Sequence, residues 1–584
     1  MINIKEDEKL NVLNHSCAHL LAQAIKNIYP EALFWVGPVI NEGFYYDIDL
    51  GDNVIKEEDL ALIEKQMKKI SKDGKRIIRE ELTKEEALEK FKDDPYKIDL
   101  INNMEDNSII TCYTQGDFTD LCRGPHVDTV KELKHFKLLK VSGAYYKGDT
   151  NNKMLQRIYG ICFDTEEKLT EYLNLLEEAK QRDHRKLGRD LDLFCFSDLV
   201  GPGLPLYTPR GTIIKDELQK AVEKICRGYG FEKVSCPSLA NIKLFETSGH
   251  AMKFNEELFR VESLKGHEMV LKPVQCPHHT QIYASKIRSY RDLPIRYMES
   301  DKQYRAELQG AVGGMSRVYA ITVEDGHSFC TTSQVKQEVI NMVNIIKDFY
   351  SNLGMWGNHW VSLSVRDYEH PEKYIGETED WDLCEKMLQE VSDELGLNAK
   401  KCEGEAALYG PKLDFMFYDA MGREIQIPTV QLDFATAKRF DLTYIEQDGS
   451  KATPVMVHRA ILGSYERFMV LLIEHFAGAF PLWLAPVQVN IIPVNNEYHL
   501  EYAKELEELL KENDIRVELD AREEKLGYRM RESVTKKVPF SLIIGDKEVT
   551  SETISYRKYG TEETINISKE EFVNLLKETI KNKK

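Results

Sequence analysis

The sequence predicts an α+β chain of three domains, and three observations lead there. Its 584 residues are too many for one hydrophobic core. The stretch Tyr297–His327, YMESDKQYRAELQGAVGGMSRVYAITVEDGH, reads as a long hairpin in which two aliphatic runs flank a turn carrying Gly310, Gly313 and Gly314. After Pro486 the pattern changes to short strands alternating with helices, with VQVNIIPV, IRVELD and VPFSLIIG as the strands, the signature of a small α/β sheet.

Taken in order, the chain opens on a helix. From Asn11 to Ala24 apolar residues recur at helical spacing, so His15 and His19, at i and i+4, share one face. GFYYDIDL, Gly43–Leu50, alternates like a strand, and Leu60, Ile63, Met67 and Ile70 line a helix face. Phe136–Gly160 supplies another strand and turn. Between Thr165 and Arg185 the chain is strongly charged, yet Leu169, Tyr172, Leu173 and Leu176 keep a 3.6-residue period. A rigid connecting helix therefore closes a first domain, residues 1–184. The turn-rich GPGLPLYTPRG, Gly201–Gly211, enters the second, residues 185–485, whose first helix covers Thr212–Arg227. In the third, residues 486–584, helices start near His499 and Glu524, and Ser568 with Glu571 makes a capping box for the last one.

Composition narrows the function. With 78 basic against 97 acidic residues the net charge is −19, which excludes a purely electrostatic grip on nucleic acid. A nucleic-acid partner would be held on local basic stretches such as Lys525–Lys537, KLGYRMRESVTKK. No apolar run approaches the length of a membrane span, and MINIKEDEKL lacks the apolar segment of a secretory signal, so the expectation is a cytoplasmic protein without a membrane partner. Eleven cysteines without paired spacing read as reduced thiols.

Two constellations carry chemistry on their residue types alone. Arg305 and Arg317 would face each other across the hairpin, and paired guanidiniums suit a polyphosphate or an acyl phosphate. His15 and His19 can meet Cys122 and His126 from DLCRGPHV. HxxxH with CxxxH has the ligand chemistry of a tetrahedral zinc site.

The hairpin resembles motif 2 of class II aminoacyl-tRNA synthetases, GFEKVSCPSL (Gly230–Leu239) resembles motif 1 with its proline at Pro237, and HRAILGSYERF (His458–Phe468) resembles motif 3 with its arginine at Arg467. Within that class KPVQCPHH, ALYGPKLDF, TVQLDF and WLAPVQV are similar to threonyl-tRNA synthetases, over nearly the whole chain. The resemblance implies a class II antiparallel-sheet catalytic domain between an N-terminal α+β editing domain and a C-terminal α/β anticodon-binding domain. It implies ATP-dependent ligation of L-threonine to tRNA(Thr) through a threonyl adenylate, with hydrolysis of seryl-tRNA. Arg305 and Arg467 are then the catalytic arginines; Glu307, Arg317 and Gln426 join them on ATP and its Mg²⁺, and Asp325, Tyr409, Thr429 and Gln431 hold threonine. One Zn²⁺ per subunit is implied on Cys276, His327 and His458. Its chemical rationale is the isostere valine, from which an apolar pocket separates threonine by only about 10²-fold. Serine differs from threonine by one methyl, worth about 1–3 kcal/mol, so a second, hydrolytic site is needed. For His15, His19, Cys122 and His126 the resemblance implies that editing site without a metal, against the zinc reading of their spacing, and adds Asp120 and Lys97. It further implies anticodon contacts from Glu548 and Arg557, whose other reading is a surface ion pair, and a homodimer.

The sequence also departs from the family pattern. Tyr319-Ala320-Ile321 stands where Arg-Gly-Phe is usual, Val323 replaces a glutamine, Gly313 a histidine, and His278 makes CPHH of CPGH. A branched aliphatic covers a base but does not stack as an aromatic face does; altered ATP affinity or inhibitor resistance is expected. The family's small ubiquitin-like N-terminal module is expected to be missing. These departures motivate the alternative of a non-charging paralogue that binds or deacylates tRNA.

Overall fold

The computed structural model describes residues 3–105, 108–149, 151–266, 268–419 and 422–583, and the chain divides into two compact units, Met1–Glu178 and Ala179–Lys584. The first is organised on α1, Glu8–Ile28, which Asp7 caps by accepting from the Leu10 N–H. Leu10, Leu13, Cys17, Leu20, Leu21 and Ala24 are buried along it, each leucine worth about 1.5–3 kcal/mol. They share one core with β1 (Gly43–Asp49) and α2 (Leu60–Asp73). Next come β2 (Ile77–Leu82), α3 (Pro95–Asn102), β3 (Ile110–Gln115), β4 (Phe118–Leu121), β5 (His135–Tyr145) and β6 (Met154–Phe163). Strands β1, β6 and β5 pair antiparallel in one sheet, and β2, β3 and β4 in another. The stretch Phe136–Gly160 thus holds two strands, because Lys147 and Gly148 at φ 56° and 73° turn the chain back on itself. Helix α4, Glu166–Arg182, contains the division between the units.

The second unit is dominated by one sheet. Its elements are α5 (Pro209–Gly228), β7 (Glu232–Lys233), α6 (Cys276–Ala284), β8 (Ile295–Tyr304), β9 (Ala320–Cys330), α7 (Val335–Ser351), β10 (His359–Val365), β11 (Lys400–Glu403), β12 (Lys412–Tyr418), β13 (Glu424–Asp433), β14 (Val455–Ser464) and α8 (Tyr465–His475). Among the described residues eight strands pair in the order β7-β8-β9-β14-β13-β12-β10-β11. The central six are antiparallel, and only the short edges β7 and β11 run parallel to their neighbours. The expected hairpin is β8 with β9, paired from Ile295↔Phe329 to Tyr304↔Ala320. One face packs on helices: Leu413, Val430 and Val457 from the strands cluster with Ile214, Val339, Ile346 and Phe468 from α5, α7 and α8. Alternate side chains point away from that core, so the other face is left for polar groups.

The third predicted segment folds around β15 (Val489–Pro493), α9 (Asn496–Glu512), β16 (Val517–Leu519), α10 (Leu526–Thr535), β17 (Phe540–Ile544), α11 (Asp546–Ser551), β18 (Thr553–Lys558), β19 (Ile565–Ser568) and α12 (Lys569–Lys581). Its sheet is ordered β16-β15-β17-β18-β19, parallel at β16, β15 and β17 and antiparallel beyond. Helix α9 begins earlier than its apolar period suggests, because the Asn495 side chain accepts from Glu497 N–H and caps it. The Ser568–Glu571 capping box is present. No helix among the described residues is long and apolar enough to cross a membrane.

One charged pair is sealed on the helix-covered side of the large sheet. Arg459 Nη1 donates to both oxygens of Glu324, at 2.8 and 2.7 Å, with exposures of 1% and 2%. Its guanidinium lies 4.7 Å from the Phe231 ring centroid, while Nε and Nη2 have no hydrogen-bond partner among the described residues. Removing one partner of such a pair strands a buried charge. Glu324→Ala is expected to destabilise this unit by about 3–5 kcal/mol, and Glu324→Leu combined with Arg459→Met to recover most of it. Calorimetric unfolding tests both; equal losses in the single and double variants would refute the account.

Candidate active site

The polar face of the large sheet is laid out by its register. Tyr297, His327, His458, Gln431, Lys412 and Ser364 stand opposite one another in one row across six strands. Two residues along runs the row Glu299, Asp325, Ala460, Thr429 and Asp414. Facing residues of adjacent strands share a face, so pieces of four distant motifs meet here.

Cys276, the first residue of α6, joins His327 and His458, all buried, with ligand atoms within 4.8 Å of one another. His327 is fully buried; its Nδ1 lies 2.7 Å from His279 Nδ1, and its Nε2, 3.9 Å from Asp325 Oδ1, has no hydrogen-bond partner among the described residues. His458 Nε2 lies 2.9 Å from Asp433 Oδ2, leaving Nδ1 as its other possible ligand atom. Burial holds His327 well below the usual imidazole range, and neighbouring imidazoles add to this. Burial likewise pushes the Cys276 thiol well up, helped by Asp325 and Asp433. A buried thiol, a neutral imidazole with an orphaned nitrogen and a second imidazole oriented by a carboxylate form a donor set that fits a transition-metal ion such as zinc. Tyr409 completes the wall, its ring 5.2 Å from that of His458. Gly410 beside it has no room for a side chain, since a Cβ would lie 1.7 Å from Leu432 O. Its own carbonyl is 3.4 Å from Gln431 Nε2.

Beside this trio opens a cavity of about 690 Å³ lined by Arg305, Glu307, Arg317, Gln426 and Arg467, together with Ile321, Val323 and Gly463. All five residues expected on ATP are on its wall, and so are two of the departures from the family pattern. The arginines are arranged differently from the expectation. Arg305 does not face Arg317: its N–H donates to Tyr319 O at 2.9 Å, while the Arg317 guanidinium is drawn 2.8 Å from Glu307 by a cross-hairpin ion pair. The cause is the long turn, which closes through a Gly313–Arg317 bridge. Arg305 Nε is 3.4 Å from Pro273 O. Arg467 stands in the first turn of α8, whose cap is the Ser464 hydroxyl. Its side chain is exposed and makes no hydrogen bond or ion pair among the described residues. An unpaired guanidinium at a helix N-terminus is a ready anion site. Gln426 and Thr429 turn their donors to the buried carboxylate of Asp414.

In the first unit the residues expected at an editing site converge. Cys122 Sγ lies 3.0 Å from His15 Nε2 and 3.2 Å from His126 Nε2, and His126 Nδ1 is 3.1 Å from Ser16 Oγ. The rings of His15 and His19 are each 4.4 Å from that of His126. Asp120 sits beneath them, 2.6 Å from Lys97 Nζ and 3.7 Å from His19 Nε2, and accepts from Tyr46 OH. Lys97 is therefore a buried partner with a fixed role, not a solvated charge. Burial pushes the Cys122 thiol up to about 12 and His19 down to about 4. Asp120 stays below the usual carboxylate range: burial opposes this, but Lys97 and His19 outweigh it. A cavity of about 570 Å³ reaches Cys122, walled by Leu100, Asn103, Thr111, Leu121 and Arg123.

The two anticodon candidates are not an ion pair. Glu548 is buried and spends its oxygens on Gly545 N–H at 2.9 Å and Ser555 Oγ at 2.5 Å; Arg557 Nε donates to Thr564 Oγ1 at 2.8 Å. Part of the basic stretch Lys525–Lys537 is also used internally, since buried Arg529 donates to Asp520 O and Pro493 O.

Residue reasoning missed Asp414, Asp433, His279, Glu299 and Tyr46. Strand alternation alone puts Asp414 on the Lys412 face, but only the fold gives it partners.

Three family descriptions match the chain: "Threonyl and Alanyl tRNA synthetase second additional domain" over residues 110–159, "tRNA synthetase class II core domain (G, H, P, S and T)" over 259–476 and "Anticodon binding domain" over 488–579. The threonine–tRNA ligase of Oceanobacillus iheyensis is 45% identical, covering 100% of this chain and 90% of that one. That of Staphylococcus epidermidis is 47% identical over 97% and 88%. Among solved structures, the RNA binding domain of threonyl-tRNA synthetase from Cryptosporidium parvum is similar at 31% identity and a TM-score of 0.64, covering 68% of this chain and 98% of that one.

The buried imidazoles make the first unit sensitive to acid. An unfolded histidine protonates from its ordinary 6.5, but folded His19 only near 4, so the unfolded state binds more protons between these values. Stability is complete above 6.5 and falls as pH drops to 4, by about 3 kcal/mol from His19. Amide hydrogen exchange of α1, corrected for intrinsic rates, should lose protection over that window; a flat profile would refute a neutral His19.

Proposed function

The chain belongs to the threonine–tRNA ligases, and we propose that its sites divide the work of that family as follows. Residues of the large sheet activate L-threonine with ATP and pass it to tRNA(Thr), and the first unit hydrolyses seryl-tRNA. The observation that carries this reading is the shared face: a metal-fitting trio and an arginine-lined cavity stand side by side on one rigid sheet.

Cys276, His327 and His458 hold one zinc ion per subunit. When bound it supplies a Lewis acid for the amino and β-hydroxyl groups of threonine, a demand valine cannot meet. Tyr409, Asp325, Thr429 and Gln431 enclose that amino acid. Arg305, between trio and cavity, grips the threonine carboxylate and the α-phosphate, so the two reacting groups are held in line. Arg467 takes the far end of a bent triphosphate, which arrives with Mg²⁺. Glu307 accepts from the adenine amino group, and Arg317, paired with it, covers the base. Ile321 and Val323 meet the base through dispersion alone. A homodimer and a cytoplasmic location accompany the reading, and partly exposed Arg557, rather than buried Glu548, meets an anticodon base.

For editing, Cys122 is in hydrogen-bond contact with His15 and His126 at 3.0 and 3.2 Å, an arrangement that can work without a metal, although the ligand atoms of His15, His19, Cys122 and His126 also lie within 4.8 Å of one another. A thiol near 12 is protonated at neutral pH and serves as a hydrogen-bonding wall. Neutral His15 and His19 can then accept a proton from water, and Asp120, locked by Lys97 and Tyr46, stands beside His19.

Threonine-dependent ATP–pyrophosphate exchange should be present, with stoichiometric zinc that falls sharply in His458→Ala. Absent exchange in zinc-loaded protein would favour the non-charging paralogue, and unchanged zinc in His458→Ala would refute the ligand set. Replacing His15 and His19 together by Ala should leave threonyl-tRNA formation nearly intact while seryl-tRNA accumulates. Deacylation of seryl-tRNA at the wild-type rate by the double variant would exclude the editing assignment, and loss of a bound metal from the first unit would restore the zinc reading of these residues.

A further inference from the structure

Strands β12 and β13 pair in the ladder Lys412↔Gln431, Leu413↔Val430 and Asp414↔Thr429, and then slip to Met416↔Gln426. One residue of β12, Phe415, therefore faces two of β13, Ile427 and Pro428. A proline has no N–H for a ladder, and within a sheet it is accommodated at such a bulge. The consequence is a change of face. Residues three apart on a regular strand point to opposite sides, but the extra residue turns Gln426 to the side of Thr429. Both then reach one atom: Gln426 Nε2 and Thr429 Oγ1 each donate to Asp414 Oδ1 at 2.7 Å. Its Oδ2 takes Lys412 Nζ at 2.6 Å and Ser364 Oγ at 2.7 Å. Asp414 is 2% exposed, and two donors on each oxygen fill a carboxylate's acceptor capacity.

A carboxylate beside an ammonium only accepts. It therefore fixes which end of the Gln426 amide faces it: the NH₂ group turns inward, and Oε1, which makes no hydrogen bond among the described residues, is left for the cavity that Gln426 lines. An acceptor there selects a donor on its ligand. The donors of ATP are the adenine amino group and the sugar hydroxyls; the triphosphate has none. Glu307, also on the wall, is the acceptor for the amino group in the reading above.

We propose that Asp414 is a positioning residue that sets Gln426 as the acceptor for a ribose hydroxyl of the nucleotide, so that sugar recognition in this cavity is written by a buried carboxylate the nucleotide never touches. The inference rests on the ATP reading of the cavity. In Asp414→Asn the amide oxygen stays with the Lys412 ammonium and the new NH₂ faces Gln426, which flips to present a donor instead.

The test uses threonine-dependent ATP–pyrophosphate exchange by the full-length protein with ATP, 2′-deoxy-ATP and 3′-deoxy-ATP. One deoxy analogue should show a KM about three- to tenfold above that of ATP, the range of one hydrogen bond. In Asp414→Asn the KM for ATP should rise to meet that analogue's, whose own KM changes little, and adding Gln426→Ala should cost nothing further because the residues act as one unit. An unchanged KM for ATP in Gln426→Ala would overturn the cavity reading itself. A rise in Gln426→Ala together with an Asp414→Asn effect equal on all three nucleotides, or additive with Gln426→Ala, would overturn the positioning role alone. Where Asp414→Asn fails to fold, the unmodified protein still decides: equal KM values for the three nucleotides would overturn the proposal.

Discussion

Everything in the large unit depends on the register of β9, β14 and β13. His327, His458 and Gln431 fall in one row only because these antiparallel strands pair without a one-residue slip between them there. Such a slip would carry every polar side chain of one strand to the helix-packed side and every apolar one to the site. Register is specified by that asymmetry: Leu413, Val430 and Val457 are fully buried against the helices. The hydrophobic core thus sets the geometry of the polar face on its far side.

Where the ladder does break, it breaks at the site. The β9–β14 pairing shifts between Val323 and Asp325, and the β12–β13 pairing between Asp414 and Met416. The first lies beside Gly463, at φ 61°, a conformation that glycine adopts without strain; the second contains Pro428. Both irregularities border the cavity that holds Gln426, Val323 and Gly463. Regular strands supply rigid rows, and the interruptions re-aim single side chains where a ligand has to be met.

The two histidine-rich clusters show burial used for different ends. Around Cys276 the imidazoles are tied outward, His327 to His279 and His458 to Asp433, and His327 Nε2 has no hydrogen-bond partner among the described residues. Around Cys122 the thiol contacts His15 and His126 directly, and charge is confined to Asp120 with Lys97 below. In both clusters the ligand atoms lie within 4.8 Å of one another, and in each one buried imidazole nitrogen, His327 Nε2 or His19 Nδ1, has no hydrogen-bond partner among the described residues.

By itself the sequence determined the α+β class, the hairpin, the helices of the first unit and the capping box at Ser568, because these follow from periodicity, turn residues and local hydrogen bonds. Family motifs further carried the trio Cys276, His327 and His458, whose spacing alone says nothing. The tertiary structure alone decided that Arg317 is occupied by Glu307 and does not face Arg305, that Lys97 is buried on Asp120, and that Glu548 is a cap for its own helix. It alone revealed Asp414 as the meeting point of Ser364, Lys412, Gln426 and Thr429. The physical reason is common to all of these. Each depends on which groups from distant segments compete for one side chain, and that competition is resolved only when register and packing bring the segments together.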